Sequence, residues 1–214
     1  MSDFLQYVSD RRDILQPQFI THLKLVATSL LVATVVGLVL GIVASRSVRF
    51  STAVTAVASA VLTIPSFALF GILAIWLGIG DQPVRIGLIL YALLPIIRNT
   101  ETGIRGVQPA ILEAARGMGM NARQLMTHVE LPLALPLIVG GIRQAAVLIV
   151  AIATVGAAVG SNNLGQPIFA GIRGSDRYAI LSGALPVAAI GLMLDAALLL
   201  MENLLARARG ITTA

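Results

Sequence analysis

The chain has 214 residues, of which 57% are hydrophobic and only 12% charged, with a mean hydropathy of +0.91. So few charges cannot cover the surface of a soluble domain of this size, where about a quarter of residues are charged. The apolar residues are also bunched into long runs, which excludes a soluble enzyme and indicates an integral membrane protein. Aromatics are 5%, so the apolar mass is aliphatic and small. This favours closely packed helices over a barrel with aromatic girdles. There is no cysteine, and the two histidines, His22 and His128, are far apart. Disulfides, Cys-ligated metals and thiol nucleophiles are excluded, and a His-based metal site is not expected. The formal charge of +5 and a pI near 10.7 fit a positive-inside bias of membrane loops, and no nucleic-acid partner is needed to explain them.

Residues 1–20 are mixed polar and lack a basic segment followed by an apolar one, so they do not read as a cleaved signal peptide. The first uncharged run, 25–45, is long enough to cross ~30 Å of hydrocarbon at 1.5 Å per residue. Arg46 and Arg49 close it. A second run, 50–80, contains Pro65 and predicts one kinked helix over about 53–77, broken at Ile64-Pro65-Ser66. Two re-entrant half-helices are the alternative. The turn Gly80-Asp81-Gln82-Pro83 leads into a third segment, 84–100. It is uncharged only between Arg85 and Arg98 and is interrupted by Pro95. It spans only if its ends snorkel or are shielded by protein.

The stretch 104–130 is polar and predicts two short helices. Pro109 suits the first turn of one that runs to about Met118, with Glu113 near its amino end. Gly117 and Gly119 supply a break, and Asn121 caps a second helix that Pro132 stops. Ile111, Leu112, Ala115 and Met118 share one face of the first helix and need a partner, either the spans or a separate soluble subunit. A fourth run covers about 134–158 and includes Arg143. A Gly- and Asn-rich loop with Ser161, Asn162, Asn163 and Gly165 follows, read either as an outward docking loop or as a plain turn. The fifth run, 179–205, contains Asp195, and Arg207-Ala208-Arg209 follow it.

The expectation is therefore a single all-α membrane domain over 1–214, with spans at about 22–45, 53–77, 84–100, 134–158 and 179–205. Placing the carboxyl end in the cytoplasm puts nine of the 15 basic residues inside and six outside, so the amino end is expected outside. The only lysine, Lys24, lies in no Gly-rich loop, and no GxxxxGK[ST] is present. The chain cannot cradle a nucleotide by itself, and no catalytic set is apparent.

Glu113-Ala114-Ala115, Gly119, Val129 and Leu131-Pro132 form the pattern EAA-x3-G-x9-[I/V]-x-LP. It resembles the cytoplasmic signature of permease subunits in binding-protein-dependent ABC importers. Val129 stands where Ile is more usual. Residues 63–71, 91–100 and 140–147 are similar to the osmoprotectant branch of that family, and the resemblance covers roughly 20–205. It implies a type I importer permease with cytoplasmic coupling helices in a bacterial inner membrane. Two permease subunits, identical or paralogous, would form the pore. An ATPase, carrying ATP and magnesium, would dock on the coupling loop, and an extracytoplasmic binding protein would deliver glycine betaine, choline or carnitine. An amino-acid importer of the methionine type, an ATP-independent carrier and a membrane scaffold are the rival readings.

Two sets of site residues follow. Glu113, Ala114, Ala115, Gly119, Leu131 and Pro132 are expected at the ATPase contact. Pro65, Ser66, Phe67, Tyr91, Arg98, Asn99, Arg143 and Asp195 are candidates for the pore or its gate. Each of these has a plainer reading. Asp195 lies about 12 residues, or ~18 Å of helix, before Arg207, where a lone carboxylate is costly, so its plainer reading is a structural ion pair or hydrogen bond with Arg143 or another span. Arg98 reads equally as an end marker, and Phe67, Phe70 and Tyr91 as helix packing. Quaternary ammonium groups favour aromatic faces, which is the case for the pore reading.

Overall fold

A computed structural model of the protein describes residues 2–208; Arg209, counted above among the cytoplasmic charges, lies outside them. The described residues form helices and short connections. α1 covers Ser2–Asp10, α2 Arg12–Arg46, α3 Val48–Thr63, α4 Ser66–Leu77 and α5 Asp81–Arg105. α6 covers Pro109–Gly117 and α7 Ala122–Leu125; a π turn over Met126–Glu130 joins α7 to α8, Leu131–Ala153. A 3-10 segment over Thr154–Val159, α9 (Gly165–Gly174) and α10 (Arg177–Ala208) complete the chain.

Among the described residues, three helices are long and apolar enough to cross a membrane: Arg12–Arg46, the continuous run Ala122–Val159, and Arg177–Arg207. The α3–α4 pair makes a fourth if it is taken as one span. α5 is not among them, because Arg85, Arg98, Asn99 and Glu101 interrupt its apolar stretch. The structure thus gives three or four such spans where five are expected from the sequence.

α5 is nevertheless the centre of the fold, packed against α2, α3, α4 and α8, while α10 lies on α8 and α9. Val84, Leu88, Ala92, Ile96 and Ile97 are all fully buried on it. The helix least suited to lipid is enclosed by the others, which is how polar groups are tolerated at membrane depth.

Small residues make the enclosure possible. Ser29, Ala33, Gly37, Gly41 and Ala44 form a buried stripe along α2. A Cβ on Gly37 would lie 2.7 Å from the Ile96 side chain, and one on Gly41 would lie 2.6 Å from Cβ of Thr100. On the other side, a Cβ on Gly141 of α8 would lie 2.9 Å from the Pro95 carbonyl oxygen. Backbones that approach this closely gain dispersion contacts that lipid chains cannot supply.

The kink predicted at Pro65 is a sharp bend of 100° between α3 and α4. Proline disfavours helical dihedrals at the residue before it, and Ile64 is extended at φ −75°, ψ 127°. The Tyr91 hydroxyl donates to the Ile64 carbonyl at 2.5 Å, which pins the bend to α5. α4 ends at Gly78 (φ +80°), and Gly80 (φ +131°) turns the chain into α5. The kinked helix is thus two helices meeting at the expected break, because Pro65 interrupts the ladder and the Tyr91 hydroxyl holds the bend.

The stripe gives a test. Gly41→Val places a branched side chain against Thr100 and the Ile97 carbonyl, and should destabilise the protein by about 1–3 kcal/mol. The same change at Gly71, whose Cβ would meet nothing within 4 Å, should cost less. Thermal unfolding of both variants in one detergent checks the contrast.

Candidate functional site: a helical hairpin and an ion cluster

The hairpin between α5 and α8 is built by three local devices. Pro109 occupies the first turn of α6, where a missing N–H costs nothing. At the other end, Met120 N–H donates to Ala115 O (3.2 Å) and Gly119 N–H to Arg116 O (2.9 Å), with Gly119 left-handed at φ +83°. This is a Schellman termination, with Ala115 three positions inside the helix end and Gly119 just past it. The EAA-x3-G spacing is therefore a helix-stop geometry. Gly117 remains helical, so Gly119 alone makes the break. Asn121 and Gln124 then form a reciprocal capping box, both bonds at 2.9 Å.

Two local expectations are corrected here. Glu113 lies in the second turn of α6 and not at its amino end. Pro132 does not stop a helix, because the chain stays helical from Ala122 to Val159. The π turn makes this possible. Leu131 N–H bonds to the Met126 carbonyl, five residues back, so the ladder widens immediately before the proline ring. The hairpin is consequently continuous with a long apolar helix.

Of the apolar face expected on α6, only Ala115 is buried; Ile111 is 40% and Met118 73% exposed. Glu113 and Ala114 are exposed beside them, while Leu131 and Pro132 are half-buried at the start of α8.

Ion pairs fasten the hairpin to the bundle. The Glu130 carboxylate, 3% exposed, takes a bidentate contact from Arg46 at the end of α2. Arg105 pairs with Glu101 at 2.5 Å and donates to the terminal α2 carbonyls of Ala44 (2.8 Å) and Ser45 (3.1 Å). The Ser51 hydroxyl donates to Glu101 at 2.5 Å. None of these four charged residues is among the site residues expected from sequence. Their partners lie about 50 to 84 residues away, apart from the Glu101–Arg105 pair, and the one readable signal is a charge at each helix end.

Within the membrane region, Arg143 contacts Asp195 at 3.3 Å and Glu202 at 3.2 Å. Glu202 is two helical turns beyond Asp195 on α10, so both carboxylates share one face. With Asn99 and Gly140 they border an open cleft of about 630 Å³. The structure thus brings Asn99, Arg143 and Asp195 together and adds Glu202. Arg98 turns away from them and donates to Ser59 at 3.3 Å. Pro65, Ser66 and Tyr91 meet at the α3–α4 bend, with Phe67 exposed beside it and Phe70 buried in the core.

At the opposite end, Ser161 and Asn163 are fully buried. Ser161 donates to Asp81 at 2.6 Å, and Asn163 bonds to Ala153 O, Ser161 and Gly165 N–H. They hold the turn together, and Asn162 alone of the three is exposed. Nearby, Tyr7 stacks toward Tyr178 (6.0 Å) under the Arg11 guanidinium. Partial burial pushes the Tyr7 hydroxyl above its ordinary phenol value; Arg11 opposes this and Asp176 adds to it.

A rigid bundle, a charged cleft among membrane helices and an exposed hairpin fused to one of them define a membrane-embedded transport subunit. The sequence matches the family described as the binding-protein-dependent transport system inner membrane component over residues 17–209. The chain belongs to this family. It is 38% identical to the osmoprotectant import permease protein OsmW of Salmonella typhimurium, covering 90% of this chain and 92% of that one. It is 36% identical to the choline transport system permease protein OpuBD of Bacillus subtilis, covering 96% and 91%. Its fold superimposes on the methionine ABC transporter MetNI, in an inward-facing conformation, with a TM-score of 0.81 at 21% identity, covering 92% and 98%.

Glu130→Ala leaves Arg46 without its buried partner and should lower stability by about 1–2 kcal/mol, since Arg46 is half exposed. Exchanging the two residues, Arg46→Glu with Glu130→Arg, should recover part of that loss. Denaturation of the two single variants and the double variant measures the coupling.

Proposed function

We propose that this chain is the membrane-spanning permease subunit of an ABC importer that moves a quaternary ammonium osmoprotectant into the cytoplasm. Glycine betaine, choline and carnitine are the candidate cargoes. The carrying observation is identity of 33–39% over at least 83% of the chain to permeases named for those solutes. The methionine reading rests on likeness of fold at 21% identity, which reaches the fold alone.

The work is divided among subunits. A separate ATPase binds ATP and magnesium and docks on the hairpin. An extracytoplasmic binding protein delivers cargo, and a second permease, a copy or a paralogue, completes the pore. Glu113, Ala114 and the open apolar groups of α6 form the contact with the ATPase. Ala115 and Gly119 shape the helix end, and Leu131 and Pro132 join it to α8. When the ATPases close, the hairpin moves as a body with α8 and the bundle rocks between outward- and inward-open states. Asn99, Arg143 and Asp195 line the path. Pro65, Ser66, Phe67 and Tyr91 set the bend beside it, and Arg98 marks the inner rim.

The topology that serves this cycle has five spans, namely α2, the bent α3–α4 pair, α5, α8 and α10, with the amino end outside and the carboxyl end inside. Enclosure of α5 by protein supports counting it as a span. Since the chain has no cysteine, single cysteines report sidedness directly. In intact cells, Ala114→Cys should resist a membrane-impermeant maleimide and Asn162→Cys should react; the reverse pattern inverts the topology.

ATP-dependent uptake of labelled glycine betaine, choline and carnitine, in proteoliposomes holding this chain with its ATPase and binding protein, tests the cargo. At least one should accumulate, and Glu113→Lys should reduce uptake by an order of magnitude or more while weakening ATPase association. ATPase stimulation by the binding protein with no uptake of the three would leave an importer of another solute.

A further inference from the structure

A second cleft, of about 750 Å³, opens between the end of α2 and the hairpin. Three guanidinium groups border it: Arg46 of α2, Arg116 of α6 and Arg123 of α7. Glu130 neutralises Arg46, but Arg116 and Arg123 are exposed and have no ion-pair partner among the described residues. The floor is apolar, with Ile42, Val43 and Leu125. Two unpaired cations on one cleft repel each other, and an anion between them replaces that repulsion with attraction.

The neighbouring surface of α2 indicates which anion. Leu31, Val35, Val39 and Val43 recur every four residues and are all exposed, so they form one apolar stripe ending at the cleft. From Leu31 to Val43 the stripe is about 18 Å long at 1.5 Å per residue. One leaflet of hydrocarbon is ~15 Å deep, half of ~30 Å. A soluble anion would use the arginines and leave the stripe idle, and a neutral lipid would do the reverse. We propose that the cleft is a binding site for an anionic phospholipid. Its phosphate sits between Arg116 and Arg123, and an acyl chain lies along the α2 stripe. The headgroup then rests against the Arg46–Glu130 pair, where the hairpin joins α8.

The test uses the assembled transporter in detergent, with phosphatidylglycerol and phosphatidylcholine as probes and native mass spectrometry as readout. Phosphatidylglycerol should be retained in preference to phosphatidylcholine. Arg116→Gln with Arg123→Gln should weaken that retention about 30-fold, whereas Arg116→Lys with Arg123→Lys should keep most of it. Equal retention of both lipids would mean an ordinary lipid shell and overturn the proposal. Displacement of phosphatidylglycerol by millimolar glycerol phosphate would mean a soluble-anion site and overturn it as well. Unchanged lipid retention in the glutamine variant, with loss of the ATPase from the complex, would assign the arginines to that subunit instead. The two wild-type comparisons stand even if a variant fails to assemble.

Discussion

Everything in this fold depends on the enclosure of α5. In hydrocarbon a polar group has no water to turn to, so a helix carrying Asn99 and Glu101 must be shielded and satisfied by protein. Asn99 donates to the Pro95 carbonyl of its own helix, and Glu101 is held by Ser51 of α3 and by Arg105. Close approach of α2 and α8 supplies the shielding, and that approach requires Gly37, Gly41 and Gly141, since a Cβ at any of the three would collide with α5. The consequences spread outward. α5 in turn holds the α3–α4 bend through Tyr91 and fixes the end of α2 through Arg105. The most polar of the long helices is thus the scaffold on which the more apolar ones are arranged.

The same end of the bundle carries the hairpin, and its construction suits transmission of force. A Schellman stop and a capping box fix the corner at Gly119 and Asn121. The π turn then passes the helix through Pro132 without interruption. Glu130 lies in that turn and is tied to α2 through Arg46. In physical terms the EAA-x3-G stretch is a corner, a cap and an unbroken rod.

Charges inside the membrane region are arranged as a triad, with Arg143 between two carboxylates. Asp195 is therefore not a lone buried acid, and the pairing offsets much of the penalty of its depth. The cluster thus places one guanidinium and two carboxyl groups on the edge of an open cleft.

Several features were legible in the residues alone. The aliphatic runs indicated membrane residence, and the EAA pattern resembled the family that the match over residues 17–209 then showed. The need of Asp195 for a partner was readable too, and the structure selects Arg143 from the candidates. Other features came only with the tertiary structure. Whether Pro65 kinks a helix or folds it back depends on a hydroxyl 27 residues away, and whether Pro132 ends a helix depends on the π turn before it. The rank of α5 as the core helix could not be read from its hydropathy, because its neighbours supply the shielding. Glu130, Glu101, Arg105 and Glu202 escaped for a similar reason. A charge near a helix end looks alike in sequence whether it faces water or a partner. Local geometry is written in neighbouring residues, whereas the pairing of distant helix ends is set by packing alone.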